Sequence, residues 1–335
     1  MRKSTLLLLV IATACGGTTA EEYLVIRDFL ERAAPVECRF LDAGEQLAVT
    51  GLRPASDSTV LVLDGPGRRL VELDARLGVL WELEAPSMGP GALNEPVDAV
   101  VLGDTAVMVA ERTGLKLIVY SRSGELVRST QLPFVPHALA AQSSGDVLVS
   151  AMPVGGVPAN LVFRFDGEQT HEILVSPRHY EDPIIASLGN STLVDALETD
   201  EGIVVHQFLS PRGFRVGVNG EVVPLEVPTP DATLAGLDFV PSMQVTRDER
   251  LLMLLPAAAM SIDRGRSQVY LLTRSGRIRN DRPERAILRL DEDLRLLSAF
   301  TIDVFAVAMA YLPGGGVAMV VDDQDRFFAC PLPRD

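Results

Sequence analysis

From about residue 36 onward the chain repeats one rhythm: a short apolar strand, a small or polar turn, and another strand, with almost no helical periodicity. Apolar runs recur at Val60 to Leu63, Ala106 to Ala110, Val147 to Ser150, Ile203 to His206, Leu251 to Leu255 and Val317 to Val321. Each follows a turn such as Ser143-Ser144-Gly145-Asp146 or Pro313-Gly314-Gly315-Gly316. Each also leads into further alternating runs, such as Leu70 to Leu73 and then Val79 to Leu83. Successive units lie roughly 40 to 65 residues apart, a repeat spacing that points to an all-β array rather than two unrelated domains.

One element recurs with chemical detail. Asp64 ends a strand, and Arg69 opens the next five positions later. Glu111 and Lys116 stand at the same spacing, while Asp322 and Arg326 are one residue closer. A carboxylate ending one strand can meet a cation opening its neighbour across the hairpin. Such a pair contributes about 0.2–1 kcal/mol when exposed, which suits a structural device better than a catalytic one.

With these hairpins and the stretch Gly89-Pro90-Gly91-Ala92-Leu93-Asn94-Glu95-Pro96, the sequence resembles the NHL-type family of β-propellers. The first two units and the last carry the resemblance closely; the third, fourth and fifth share only its strand rhythm. The resemblance implies a six-bladed β-propeller over 36–335. The last unit supplies only three strands, Val307 to Leu312, Val317 to Val321 and Arg326 to Leu332. An open ring would leave an exposed edge, so an N-terminal strand, Val36 to Leu41, is expected to close it. That places Cys38 beside Cys330 and predicts a disulfide clasping the ring, with a loop-closure contribution of roughly 5 kcal/mol. Two buried free thiols are the alternative.

The first residues read as an address. Arg2 and Lys3 precede a short apolar run that ends in Ala12-Thr13-Ala14-Cys15, too short for a permanent membrane span. It resembles a bacterial lipoprotein signal: residues 1–14 are expected to be removed, Cys15 to carry lipid, and 15–35 to form a tether. Ordinary signal-peptidase cleavage after Ala14 is the competing reading. Of three cysteines, lipidation of Cys15 leaves an even pair for an oxidising compartment. The expected location is therefore the cell envelope, membrane-anchored, in the periplasm or at the outer-membrane surface. A net charge of −15 argues against nucleic acid as a partner.

Strands in each unit are labelled a to d from the inside outwards. The a–b and c–d turns are short, whereas longer connections are expected on the opposite face: Ala85 to Glu95, Pro153 to Ala159, Ser176 to Asn190, Thr229 to Phe239, and an insertion from about Pro256 to Arg285. Long loops on one rigid face are where binding usually sits. Candidates at the channel mouth are Asp98, His137, Asp195 and Ser242, with His179 and Tyr180 in a long loop. Two carboxylates and a histidine could hold a divalent metal or serve as acid and base. Polar residues closing a solvated pore, satisfied by water and holding no ligand, are the favoured reading of these positions. The arginines of the 256–285 stretch could recognise a carboxylate or phosphate, or simply be solvated.

No His-Glu-x-x-His, Gly-x-Ser-x-Gly, Cys-x-x-Cys or phosphate-binding glycine loop is present. Asp322-Asp323-Gln324-Asp325 lacks the glycine and distal glutamate of a calcium loop and reads as a tight turn. The expected function is a lipid-anchored binding or protein-interaction module for a protein, peptide or glycan, with no resident cofactor. The alternative is a propeller hydrolase or lyase with a divalent metal at the channel mouth.

Overall fold

The computed structural model describes residues 33–44, 47–152, 161–173, 192–194, 203–207, 212–217, 221–226, 257–273, 277–279 and 282–333. Two short strands come first, β1 (Ala34–Val36) and β2 (Arg39–Leu41). Four antiparallel sheets follow. The first holds β3 (Val49–Pro54), β4 (Thr59–Asp64), β5 (Arg69–Asp74) and β6 (Val79–Glu84). The second holds β7 (Pro96–Leu102), β8 (Ala106–Glu111), β9 (Lys116–Ser121) and β10 (Leu126–Gln131). The third holds β11 (Val135–Ala141), β12 (Val147–Met152), β13 (Val162–Phe165) and β14 (Thr170–Ile173). The fourth holds β15 (Thr192–Val194), β16 (Ile203–Gln207), β17 (Arg212–Val216) and β18 (Val222–Glu226).

The fifth sheet runs β19 (Ala257–Asp263), β20 (Gln268–Thr273), then β22 (Arg282–Leu290) and β23 (Leu296–Ile302), with β21 (Arg277–Arg279) paired to β22. The last runs β24 (Ala306–Leu312), β25 (Val317–Asp322) and β26 (Phe327–Pro331), and β2 forms its outer strand. The innermost strands touch in the order β3, β7, β11, β15, β19, β24, and β24 returns to β3. The chain is an all-β propeller.

The reason for the continuous apolar b strands is visible in β4. All six residues from Thr59 to Asp64 are buried, because both faces of the sheet are covered. Val60 and Val62 pack with Ala310, Met319 and Val321 of the last sheet. Leu61 and Leu63 pack with Ala99, Val107 and Val109 of the second. Each such side chain contributes about 1.5–3 kcal/mol by leaving water, so alternation along one strand ties three sheets together.

The N-terminal segment differs from the single strand expected over Val36 to Leu41. Ala34–Val36 lies parallel on the rim of the fifth sheet, with Val36 opposite Ile302. Arg39–Leu41 pairs antiparallel with β26, Arg39 facing Ala329. Between them the Cys38 N–H donates to Asp303 Oδ1 at 3.3 Å. The segment therefore steps from one sheet to the next at Cys38, and Cys38 is disulfide-bonded to Cys330, 292 residues away.

A second difference concerns the stretch read as an insertion from Pro256 to Arg285. Its residues supply β19 and β20, the two inner strands of the fifth sheet. Ala257-Ala258-Ala259 has weak strand propensity, which hid the strand. The Leu251 to Leu255 run lies outside the described residues.

The hairpin device is observed in the first and last sheets. Asp64 Oδ2 accepts from Arg69 Nε and Nη2 at 3.1 and 2.9 Å, while Oδ1 accepts the Gly67 N–H at 2.9 Å. Asp322 does the same for Arg326, at 2.8 and 2.5 Å, and its Oδ1 takes two turn N–H groups. In the second sheet the pairing is different. Glu111 caps the N–H groups of Gly114 and Glu95, and Lys116 Nζ donates to the Pro90 carbonyl instead. Asp263 forms a further copy in the β19–β20 turn, accepting the Arg266 N–H at 3.2 Å.

Candidate functional site

Among the described residues, five innermost strands carry a β-bulge near their start. The extra residues are Thr50, Val97, His137, Ala258 and Val307. The residue after the bulge is Gly51, Ala138, Ala259 or Ala308 in four strands and Asp98 in the fifth. Two positions further on stand Arg53, Val100, Ala140, Ser261 and Ala310. Asp98 and Arg53 are thus charged exceptions in two columns of small or apolar residues, and they meet.

Arg53 reaches from β3 into the centre of the ring. Its Nε donates to Asp98 Oδ1 at 2.9 Å and its Nη2 to Asp98 Oδ2 at 2.6 Å, a bidentate pair. The same guanidinium reaches the carbonyls of Leu139 at 3.3 Å, Val194 at 3.4 Å and Met260 at 3.4 Å. One side chain therefore engages the inner strands of four other sheets. Asp98, 5% exposed, also accepts the Leu139 N–H at 2.7 Å and the Ala99 N–H at 3.0 Å. Each of its oxygens thus carries two hydrogen bonds.

His137 is the bulged residue of β11 and is half-buried. Burial pushes its imidazole down to about 4; Asp98 opposes the shift, and Arg112 and Arg53 add to it. The ring is therefore neutral at neutral pH. The structure brings Asp98 and His137 within electrostatic reach of one another. Asp195, Ser242, His179 and Tyr180 lie outside the described residues. Among the described residues, no three His, Cys, Asp or Glu side chains gather as a metal-holding group.

The b–c and d-to-a face is less uniformly elaborate than the sequence suggested. The b–c turns at 65–68, 112–115 and 323–326 are tight, and the links 132–134 and 303–305 are short. The 153–159, 176–190 and 229–239 loops lie largely or wholly outside the described residues. The long link 85–95 is described, and it is firmly held. Ala85 N–H donates to the Arg68 carbonyl at 2.9 Å, and the Tyr120 hydroxyl donates to the Gly91 carbonyl. Burial pushes the Tyr120 phenol up to about 12, so it stays a donor. Glu95 is gripped by Arg112 at 2.7 Å and Thr113 at 3.1 Å. Met88, at the loop's tip, is 83% exposed. A groove of about 490 Å³ opens between the loop and the β4–β5 turn, lined in part by Arg68, Glu84, Pro86 and Ser87.

Arg53 was missed in sequence reasoning, and so were Tyr120 and Lys116 as the residues that pin the expected long loop. Aligning the units at their bulges would have exposed Arg53 as the charged residue in a column of small ones.

No protein-family model matches the chain, and no curated protein matches it in sequence. Solved structures do match. Virginiamycin B lyase from Staphylococcus aureus superposes on 90% of this chain and 96% of its own, with a TM-score of 0.53 and 12% identity. A DUF4221 family member from Bacteroides vulgatus covers 89% of this chain and 96% of its own, at 0.57 and 12%. An exported-protein candidate from Bacteroides fragilis covers 89% and 96%, at 0.53 and 12%. The likeness is one of fold. It agrees with the propeller and leaves the NHL-type resemblance as a likeness of hairpins.

Proposed function

We propose that this chain is an exported, envelope-anchored binding module that presents its b–c and d-to-a face to a protein, peptide or glycan. The observation that carries this reading is the 85–95 link, a long loop fixed at both ends and along its length, with Met88 outermost and a groove beside it. A loop ordered in advance loses little entropy on binding, which is what a recognition surface requires. We read the six sheets as six blades, with β2 closing the ring. The Cys38–Cys330 disulfide supports export, since such bonds persist in oxidising compartments. Lipidation of Cys15 would hold the module at a membrane. In the metal-dependent alternative Asp98 would have to release Arg53 and two backbone N–H groups before acting as a ligand.

Photo-crosslinking in the envelope tests the reading. A crosslinker at Met88 should give a discrete adduct that the same probe at Asp104 or Ser144, on the opposite face, does not. Equal adducts from both faces, or none from Met88, would count against it. Loss of radiolabelled palmitate on Cys15→Ser would support the anchor.

A further inference from the structure

The groove beside the 85–95 link is lined by two opposite charges. We propose that its occupant is a peptide segment carrying an acidic and a basic side chain close together, the acid paired with Arg68 and the base with Glu84. This rests on the reading of the link face as a binding surface and names the chemistry that the face selects. Arg68 and Glu84 both line the groove, one in the β4–β5 turn and one at the end of β6. Their backbones adjoin: Ala85 N–H donates to the Arg68 carbonyl at 2.9 Å, and Arg69 faces Glu84 across the ladder. Both side chains are exposed, yet among the described residues neither makes a hydrogen bond or an ion pair. The other cations around the link are committed. Arg69 pairs with Asp64 and Glu82, Arg112 with Glu95, and Lys116 donates to the Pro90 carbonyl.

Arg68 also holds an unfavourable backbone: its φ is +54°, in the left-handed region that favours glycine. The equivalent turn residues, Leu115 and Asp325, share that conformation, and each closes its turn by donating its N–H to the carbonyl three residues back. Leu115 is half-buried, and Asp325 Oδ1 accepts the Val49 N–H at 3.0 Å. Arg68 instead presents its guanidinium to the groove without such a contact. The flanks are fixed by Asp64 on the Gly67 N–H and by Tyr120 on the Gly91 carbonyl. A guanidinium forks onto a carboxylate, and a carboxylate accepts from an ammonium or a guanidinium. Side chains two residues apart on an extended peptide share one face, so one short segment supplies both charges. A neutral glycan supplies neither. Apolar side chains of the same peptide have Met88 to pack against.

The test combines the crosslinker at Met88 with a defined peptide. In the envelope, Arg68→Gly and Glu84→Gln should each cut the Met88 adduct by about fivefold. Both variants should keep Tm within about 3 °C of the unaltered chain, as expected of exposed side chains. In the purified full-length protein, acetylated and amidated Ala-Glu-Ala-Lys-Ala should shift the amide resonances of residues 67, 68, 84, 85, 87 and 88. It should bind about threefold more tightly than Ala-Glu-Ala-Glu-Ala or Ala-Lys-Ala-Lys-Ala. Maltotriose should leave the same resonances unmoved. An adduct undiminished in both variants overturns the inference and leaves the binding face standing, whereas no adduct from the unaltered chain removes both. Equal binding of the three peptides, or shifts with maltotriose, would overturn the inference. A larger fall in Tm for Arg68→Gly would show that Arg68 serves the turn itself and would overturn it too.

Discussion

The indole N–H of Trp81 donates to the backbone carbonyl of Arg122 at 2.6 Å, across the boundary between the first and second sheets. The guanidinium of Arg122 lies over the same indole, 5.0 Å from its centroid, and pairs with Glu72 Oε2 at 2.5 Å. Glu72 in turn accepts from Thr59. This small network fastens the outer strands of two sheets whose inner strands are joined by Arg53 and Asp98, with apolar packing between.

Trp81 is the chain's one tryptophan, so its fluorescence reports this boundary without labelling. Arg122→Ala removes the stacked cation and leaves Glu72 with its Thr59 hydrogen bond but no paired cation. A loss of about 1–3 kcal/mol is expected in urea unfolding, with a shift in native emission. Unchanged emission would mean that the indole does not sense Arg122.

Gly67 and Gly114 occupy the same place in their hairpins. A methyl group on Gly67 would run into the Asp64 carboxylate, and one on Gly114 would sit 2.6 Å from Glu111 Oε2. In both cases the obstructing group is a carboxylate already committed to capping that turn. Gly67→Ala and Gly114→Ala should each cost about 1–3 kcal/mol by denaturant titration. A neutral result at both would show that the cap yields freely.

His137 supplies a pH dependence. Its folded pKa lies near 4 against 6.5 for the free side chain, so the unfolded chain takes up a proton that the folded chain refuses. The sign follows: stability is full above about pH 6.5 and declines as pH falls toward 4. The ceiling is about 3 kcal/mol, reduced by the residue's partial exposure. His137→Gln should therefore lose less stability than the wild type between pH 7 and pH 4.5. Parallel losses in urea titrations at the two pH values would remove His137 as the source.

The Cys38–Cys330 bond closes a loop of nearly the whole described chain. Cys38→Ser with Cys330→Ser should cost roughly 5 kcal/mol at most, by loop-closure entropy. Hydrogen exchange should rise first in residues 34–41 and in β26, where the strap is held by few backbone bonds. A uniform rise across all sheets would argue against a local clasp.

The propeller rhythm was legible because b strands such as Val60 to Leu63 are buried on both faces and so read as unbroken apolar runs. The Asp64 and Asp322 hairpins were legible because their partners lie five and four residues away. Lys116 misled for a tertiary reason: a loop from the preceding link offered it the Pro90 carbonyl. Arg53 and Asp98 stand 45 residues apart in different sheets, and only the bulge registers bring their columns together. The alanine-rich β19 gave no strand signal and owes its conformation to its neighbours, among them β24, whose Tyr311 N–H donates to Ser261.

The strap formed by residues 34–41 sets the timetable of assembly. It is among the first parts of the ring to be synthesised, yet its partners β23 and β26 are among the last. During synthesis these residues must wait, unpaired, while the intervening strands emerge. The ring can close only after the C-terminal strand has been delivered. Interrupted synthesis would therefore release an open array with a bare edge, and a thiol at Cys38 free to take the wrong partner.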